Sequence, residues 1–429
     1  MLSENKDILF LLQIVSANII YLLQSVLILS STKMNIMGRA IVHMDLDTFF
    51  VSCERLTDSR LNGIPLIIGG GERGVVASCS YEARTFGVRS AMPIKMALRL
   101  CPQAKVMKGD MELYSRLSHT VTEVIEEKAP VMEKASIDEF YLDISGMDKF
   151  YGSYTWTNEL AQSVTKETGL PISFALSVNK TVSKIATGEG KPKGNLEIPE
   201  DMVRPFLNPL SIRKIPMVGD ATFQLLSRIG VRNIQTLSEM PAEVLQQMIG
   251  KNGIELWKKA NGIDNNPVEP YTERKSISTE HTFSEDTIDL DKLKRVLQGM
   301  VEKLAFQLRS EEWLTSTVVI KIRYANFDTE TKQCRVQYTS ADHILIKNVT
   351  ELFNKLYQRR MRLRLIGIRF SGLVRGTYQI NMFEDTEEML SLYQAMDRMK
   401  TRYGFDSVMR GGGAILKPNN KNEILKRKK

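Results

Sequence analysis

Two short acidic clusters, each placed where an apolar strand ends, constrain the fold of this sequence more than any other feature. The run RAIVHMDLD predicts a buried strand that ends in Asp45 and Asp47, and KASIDEFYLDI predicts a second strand that contains Asp138 and Glu139. Adjacent residues on a regular strand face opposite sides of a sheet. Asp138 and Glu139 therefore reach one site only if the backbone bends there, as at a hairpin. Either acid pair alone is also typical of turn and capping residues.

The elements around these clusters mix strands and helices without strict alternation, which favours an α+β domain over a doubly wound sheet. Apolar runs predict strands and 3.6-residue periodicity predicts helices. The predicted strands are 64–70, 74–80 and 171–178, and the predicted helices are 91–101, 111–127 and 155–168.

Residues 206–265 predict short, closely spaced helices, and IRKIPMVGDATFQLLSRIG has the pattern of a helix-hairpin-helix unit. Gly219 would supply the turn, and the amides there would face a phosphate at the N-terminus of the next helix. A simple pair of antiparallel helices is the open alternative. The polar run 266–276 predicts a linker.

A separate domain is predicted from residue 277 to 383, with one amphipathic helix and three strands. Lys321 and Arg323 share one face of a strand, and Arg362 and Arg364 repeat that alternation. The formal net charge of +8 suits a polyanionic partner. A basic sheet face of this kind favours nucleic-acid binding, although solvated strand charges are the ordinary alternative.

The segment 8–30 is long and apolar enough to span a bilayer, but Gln13, Asn18 and Gln24 weaken that interpretation. The preceding residues lack the basic character of a signal peptide. We expect instead that translation starts at Met34 or Met37 and that the protein is cytoplasmic and not bound to membranes. The four cysteines lack zinc-ligand spacing, so we expect neither a zinc site nor disulfides.

Four ordered motifs carry a resemblance to a known family. HMDLDTFFVSCE, SYEARTFGVRSAMP, SIDEFYLD and SKIATGEGKPKG resemble, in this order, the palm and fingers of Y-family DNA polymerases of the DNA polymerase IV (DinB) group. FSGL (370–373) resembles the last strand of that family's little-finger domain. The resemblance covers roughly residues 38–410, and four motifs in order are far more specific than one acid pair.

The resemblance implies a right-hand polymerase with an α+β fold. It implies a palm at 38–50 and 112–205, fingers at 51–111, a helical thumb at 206–265, a little finger at 277–383, an extension at 1–37 and a tail at 384–429.

The resemblance also implies the roles of individual residues. Asp45, Asp138 and Glu139 would be the catalytic carboxylates, and with the carbonyl of Leu46 they would hold two Mg²⁺ ions. Asp47 matches the motif but is not expected to be a ligand. Phe50, beside Phe49, would exclude the sugar 2′-hydroxyl. The expected triphosphate ligands are Ser78, Tyr81, Arg84 and Lys184, and the expected DNA contacts are Gly219, Lys321, Arg323, Arg362 and Arg364.

The implied activity is addition of deoxynucleotides to a primer 3′-hydroxyl on a DNA template, including damaged templates, by a monomer. Clustered carboxylates that hold two metal ions suit this phosphoryl transfer. A nucleotidyl cyclase also uses strand-end carboxylates in a palm-like domain, but it needs neither thumb nor basic little finger. A DNA-binding accessory protein without catalysis is the alternative that is not an enzyme.

Two further features concern partners. Gln379, Met382 and Phe383 resemble the Gln-x-x-hydrophobic-Phe peptide that docks on the sliding clamp, and the core of the last domain is the alternative place for these side chains. Met217 departs from the family, which usually has glycine at this position of the thumb hairpin, so the phosphate contact there is in question.

Overall fold

The computed structural model describes residues 38–71, 73–147, 152–376 and 387–411. The apolar segment 8–30 and the predicted clamp peptide lie outside these residues. Contacts divide the chain into two compact units, with the boundary between Tyr271 and Thr272. In the described part of the chain, no helix combines the length and the apolar character needed to cross a membrane.

The strands of the first unit form two sheets. They are β1 (Ile41–Leu46), β2 (Leu66–Gly69), β3 (Val76–Cys79), β4 (Lys105–Met107), β5 (Met132–Lys134), β6 (Glu139–Asp143), β7 (Ile172–Ser177) and β8 (Asn195–Ile198). The larger sheet has the order β5-β6-β1-β7-β8, with β1 antiparallel to both of its neighbours. The smaller sheet has the order β3-β2-β4, and its antiparallel strands β2 and β3 lie within the predicted strands 64–70 and 74–80.

The first unit also contains helices. They are α1 (Phe49–Thr57), α2 (Tyr81–Thr85), α3 (Ile94–Leu100), α4 (Met111–Lys128), α5 (Ser153–Thr168), α6 (Lys180–Gly190), α7 (Val203–Leu207), α8 (Asp220–Arg228), α9 (Ile234–Ser238), α10 (Ala242–Ile249) and α11 (Lys251–Ala260). Helix α4 begins after Asp110, whose carboxylate accepts hydrogen bonds from two free amides of the first turn. Mixed strands and helices of this kind confirm the predicted α+β class.

Strand β1 is buried because the chain covers both faces of the central sheet. Val42, Met44 and Leu46 belong to the large core that also contains residues of α4 and α5. On the opposite face lies α6, whose Ser183 and Thr187 hydroxyls donate to the carbonyls of Ile41 and His43 at 2.7 and 3.0 Å. Strand β1 is therefore held from both sides of the sheet.

The helices α7 to α11 share a separate core with part of α6. In this segment Met217 has a φ of 84°, in the left-handed region that favours glycine, and its side chain is exposed. Gly219 precedes α8 directly as its N-cap residue. The backbone at Met217 explains physically why glycine is the usual residue there.

The second unit contains one antiparallel sheet in the order β11-β10-β12-β9. Its elements are β9 (Ser276–Thr287), α12 (Leu290–Ser310), β10 (Trp313–Tyr324), β11 (Thr329–Thr339), α13 (Asp342–Leu356), β12 (Leu363–Arg375) and α14 (Glu387–Tyr403). Helices α12 and α13 pack with one face of the sheet to form its core. The other face of the sheet does not contact this core.

Two elements of this unit differ from the sequence expectation. Strand β9 is missing from the prediction, because only Ile277 and Phe283 of its twelve residues are buried and its sequence pattern is polar. Helix α14 lies in the predicted tail and packs on the unit through Asp397. The Arg309 guanidinium donates to both Asp397 carboxylate oxygens, at 2.6 and 2.9 Å.

Candidate active site

The two predicted acidic clusters meet at one end of the central sheet. Asp45 on β1 and Glu139 on β6 are direct partners in the antiparallel register, and directly opposite residues of such a pair project from the same face. Asp138 precedes β6, and its carbonyl accepts a hydrogen bond from the Leu46 amide at 3.0 Å. The strand pair therefore places all three acidic residues at the same end of the sheet.

The backbone bends before Glu139, as the sequence argument requires. The connection from β5 to β6 is a tight turn in which the Ala135 amide donates to the Glu139 carbonyl at 3.0 Å. The Ser136 hydroxyl donates to the Asp138 carboxylate at 2.6 Å. Asp138 is thus a turn residue and Glu139 a strand residue, so that the usual alternation of side chains does not separate them.

Two lysines from the α6 region contact these carboxylates. The Lys184 ammonium lies 2.6 Å from both carboxylate oxygens of Glu139. The Lys191 ammonium contacts Asp45 and lies 4.0 Å from an oxygen of Asp47. Lys184 is a predicted site residue, whereas sequence reasoning missed Lys191, which follows the helix in a Gly/Pro/Lys loop.

Burial and mutual repulsion make the acidic cluster a strong attractor of cations. Burial is the main cause that raises the pKa of the Asp45 carboxyl to about 6; Lys191 opposes the rise, and Glu139 and Asp138 add to it. Nearby like charges and burial away from water both disfavour ionisation of a carboxyl group unless a cation is near. The ammonium groups of the two lysines supply that positive charge here.

The donor set is suited to a hard divalent cation, because it offers carboxylate and carbonyl oxygens only. Among the described residues, however, no three His, Cys, Asp or Glu side chains are gathered in a metal-binding arrangement. The ion pairs with Lys184 and Lys191 direct Glu139 and Asp45 towards ammonium groups instead.

The Asp47 side chain connects several segments around the acidic cluster. It is buried, and it accepts a hydrogen bond from the Ser173 hydroxyl on β7, which lies 3.0 Å from both carboxylate oxygens. It also accepts from the Lys193 amide at 2.7 Å and from the Tyr81 hydroxyl at 3.5 Å. One carboxylate therefore connects β1 to the loop that carries Lys191 and to helix α2.

The loop after α6 needs a glycine to pass close to that helix. A Cβ on Gly194 would lie 1.9 Å from the Gly190 carbonyl oxygen, so no other residue fits without a shift of the backbone. The Gly194 amide donates to the Ser173 hydroxyl at 3.2 Å. This close approach holds the loop, and Lys191 with it, beside the acidic cluster.

The predicted triphosphate residues of the smaller sheet lie at its junction with α2. Ser78 is buried near the end of β3, and Tyr81 and Arg84 are half-buried on α2. The Arg84 guanidinium lies 4.8 Å from the centre of the Tyr81 ring. Burial and the nearby Asp47 raise the pKa of the Tyr81 phenol, so it remains a neutral donor.

The two phenylalanines that follow the first acidic cluster have different surroundings. Phe49 is buried in the core, with 2% of its surface exposed. Phe50 is half-buried, and its ring stacks on Tyr114 of α4, with 4.5 Å between the ring centroids and 13° between the planes. Only Phe50 therefore presents part of its ring outside the core.

The face of the second unit's sheet that does not contact the core is basic. Lys321 and Arg323 project from it, and the register adds Arg369, opposite Val319, and Arg335, opposite Thr317. A cavity of about 520 Å³ on this face is lined in part by Lys321, Arg369 and Glu280, and Lys321 pairs with Glu280 at 2.7 Å.

The other two predicted basic residues follow a different geometry. Arg362 is exposed and precedes β12. The register between β10 and β12 skips Arg364, which is the extra residue of a bulge, and its guanidinium lies 4.7 Å from the centre of the Phe327 ring. The predicted alternation of side chains from Arg362 to Arg364 therefore does not hold at the start of β12.

Known proteins resemble this chain along most of its length. Residues 44–188 match the impB/mucB/samB family, and residues 274–382 match the C-terminal domain of the same family. A protein of Dehalococcoides mccartyi named DNA polymerase IV is 35% identical over 384 residues, which cover 88% of this chain and 98% of that protein. One of Exiguobacterium sibiricum with the same name is 36% identical over 341 residues, 78% of this chain and 94% of that protein.

A solved structure gives the same result for the fold. A chimera of Y-family DNA polymerases matches with a TM-score of 0.70 at 23% sequence identity, and the match covers 79% of this chain and all of that one.

Proposed function

Because this chain belongs to the Y family of DNA polymerases, in its DNA polymerase IV group, we propose that the acidic cluster at the end of β1 and β6 is its catalytic centre. The chain is a template-directed DNA polymerase that adds deoxynucleotides to a primer 3′-hydroxyl, including synthesis past damaged bases. The observation that carries the assignment is the direct pairing of Asp45 with Glu139, beside Asp138 in the turn.

Members of this family depend on divalent metal, and we assign two Mg²⁺ ions to this chain. Asp45, Asp138, Glu139 and the Leu46 carbonyl would hold them, which is a set of oxygen ligands only. The bound ions supply activation of the attacking hydroxyl and neutralisation of the leaving pyrophosphate.

The triphosphate is assigned to cationic and hydroxyl donors around the cluster. Tyr81, Arg84, Ser78 and Lys184 are the donors that the family resemblance implies. Lys191 joins them because its ammonium contacts Asp45, the register partner of Glu139. The Lys184 and Lys191 ammonium groups pair with Glu139 and Asp45 in this structure. They become phosphate donors when the triphosphate enters, since a phosphate oxygen can replace a carboxylate as their partner.

The domain limits implied by the resemblance are part of this proposal. Residues 38–50 and 112–205 would be the palm, 51–111 the fingers, 206–265 the thumb and 277–383 the little finger. The polymerase would act as a monomer in the cytoplasm. Gly219, at the N-cap of α8, would contact a DNA phosphate through backbone amides, although the adjacent Met217 carries a side chain where glycine is usual.

Primer extension tests the function. The protein is incubated with primer-template DNA and each deoxynucleotide separately, and with nucleoside triphosphate in the absence of DNA. We expect only the nucleotide complementary to the template to be added efficiently, on undamaged and on damaged templates. A cyclic nucleotide product without DNA would show a cyclase instead, and DNA binding without extension would show an accessory protein.

We assign DNA backbone contacts to Lys321, Arg323, Arg362 and Arg364, and the geometry adds Arg335 and Arg369 to this surface. Lys321→Ala is expected to weaken primer-template binding and to lower the dependence of log K on log salt by about one, because each phosphate contact releases about one counterion. Binding isotherms at several salt concentrations measure this slope. Lys303→Ala, on α12, removes the same charge away from this face, and an equal loss of slope there would refute the assignment.

We also assign the clamp contact to Gln379, Met382 and Phe383, which lie outside the described residues. The Met382→Ala/Phe383→Ala double variant is expected to lose stimulation by the sliding clamp and to retain clamp-free synthesis, because the peptide follows the last strand and lies far from the palm in sequence. Ile380→Ala, at an open position of the motif, is the matched control. Loss of clamp-free activity in the double variant would place these residues in the core.

A further inference from the structure

The half-buried Phe50 ring has a support that no motif predicts. Its stacking partner, Tyr114, lies in the first turn of α4 and is fully buried. The Tyr114 hydroxyl donates to a carboxylate oxygen of Glu54 at 2.5 Å, and the Glu54 side chain is itself buried. Phe50 and Glu54 are four residues apart on α1, so they lie on the same side of that helix. Tyr114 therefore bridges two successive turns of α1.

Tyr114 has little freedom to move. A Cβ on Gly109 would lie 3.1 Å from its ring and 3.4 Å from its hydroxyl oxygen, which shows how closely the chain passes there. Phe49 makes an edge contact with the same ring, at 6.3 Å between centroids. Burial, and then the hydrogen bond to Glu54, raise the pKa of the Tyr114 phenol, so the hydroxyl stays protonated and continues to donate.

A ring that excludes a hydroxyl group by steric overlap is effective only if the ring cannot move aside. One face of Phe50 rests on Tyr114 and the residue is otherwise only partly buried. A shift of the ring by a fraction of an ångström would make room for an extra oxygen atom, because repulsion falls steeply with distance. Sites of this kind depend on the packing and hydrogen bonds of the residues behind them.

We propose that Tyr114, through its buried ring stacked on Phe50, is a positioning residue that fixes the Phe50 ring and thereby sets how strictly the polymerase rejects ribonucleotides. The proposal rests on the assignment of Phe50 as the residue that excludes the sugar 2′-hydroxyl. Tyr114 itself contacts neither nucleotide nor metal in this role. It acts through Phe50 alone.

Single-nucleotide incorporation tests the proposal, with kcat/KM measured for a deoxynucleotide and for the matching ribonucleotide. Tyr114→Leu removes the ring, and Tyr114→Phe keeps it. Both variants lose the hydroxyl and leave Glu54 equally without it, so the comparison isolates the stacked ring. We expect Tyr114→Leu to reduce discrimination against the ribonucleotide at least tenfold, mainly through a lower KM for the ribonucleotide, and Tyr114→Phe to stay within about threefold of wild type.

A double variant separates positioning from general loosening of the fold. In a Phe50→Ala background, Tyr114→Leu is expected to cause no further loss of discrimination, because the ring that it positions is gone. Equal losses for both nucleotides in Tyr114→Leu, or additive effects in the double variant, would overturn the proposal. If Tyr114→Leu does not fold, Tyr114→Met fills more of the space and takes its place.

The same measurements separate this inference from its premise. An unchanged ratio in Phe50→Ala would show that Phe50 does not exclude the hydroxyl, and both assignments would fall together. A changed ratio in Phe50→Ala with an unchanged ratio in Tyr114→Leu would refute the role of Tyr114 alone.

Discussion

Asp45→Asn and Asp138→Asn are each expected to abolish nucleotide incorporation while leaving primer-template binding within a few fold of wild type. Each change keeps the size of the side chain and removes the negative charge that would hold a metal ion. The substituted residues lie at one end of the sheet, so the loss concerns the reaction centre and not the basic face of the second unit. Single-turnover incorporation and DNA-binding isotherms give the two measurements.

Asp143→Asn is the matched control for this prediction. Asp143 lies on the same strand as Glu139 but pairs with Ile41, at the opposite end of β1. We expect this variant to retain incorporation close to the wild-type rate. Robust synthesis by Asp45→Asn or Asp138→Asn would show that the cluster is not the catalytic centre.

Phe50→Ala is expected to admit ribonucleotides at least tens of fold better than wild type and to lower deoxynucleotide use only modestly. Hydrogen bonding cannot easily reject an added hydroxyl group, but a rigid ring can do so by overlap, and a misfit of this size is worth about 1–3 kcal/mol. The ratio of kcat/KM for the two nucleotides measures the effect.

Phe49→Ala provides the comparison. Because Phe49 is buried in the core, we expect this change to lower the free energy of unfolding by about 3–5 kcal/mol and to change the sugar ratio of the folded enzyme far less than Phe50→Ala does. A shift of the ratio in Phe49→Ala without one in Phe50→Ala would reverse the assignment of the two rings.

The sequence predicts the acidic end of the sheet well because the signals there are local. An apolar run followed by acids identifies β1, and the requirement for a bend before Glu139 follows from strand geometry alone. The helices 111–127 and 155–168 are also predicted within two residues, since both have strong apolar periodicity. Each of these elements can be predicted from the pattern of apolar and polar residues within its own segment.

Contacts between distant segments could not be predicted in the same way. Lys191 lies in a loop of Gly, Pro and Lys residues with no periodicity, and only the folded chain shows that it contacts Asp45. The stack of Tyr114 on Phe50 joins residues that are 64 positions apart. The bulge at Arg364 breaks the alternation on which a strand prediction depends.

Metal binding is the property that joins the acidic cluster to catalysis. Electron paramagnetic resonance can count the Mn²⁺ ions bound by enzyme, a primer that lacks its 3′-hydroxyl, template and the correct deoxynucleotide, in which no reaction takes place. We predict two bound ions for wild type and for Asp143→Asn, and at least one fewer for Asp45→Asn. Equal Mn²⁺ binding by Asp45→Asn and wild type would contradict the assignment of these carboxylates as the metal site.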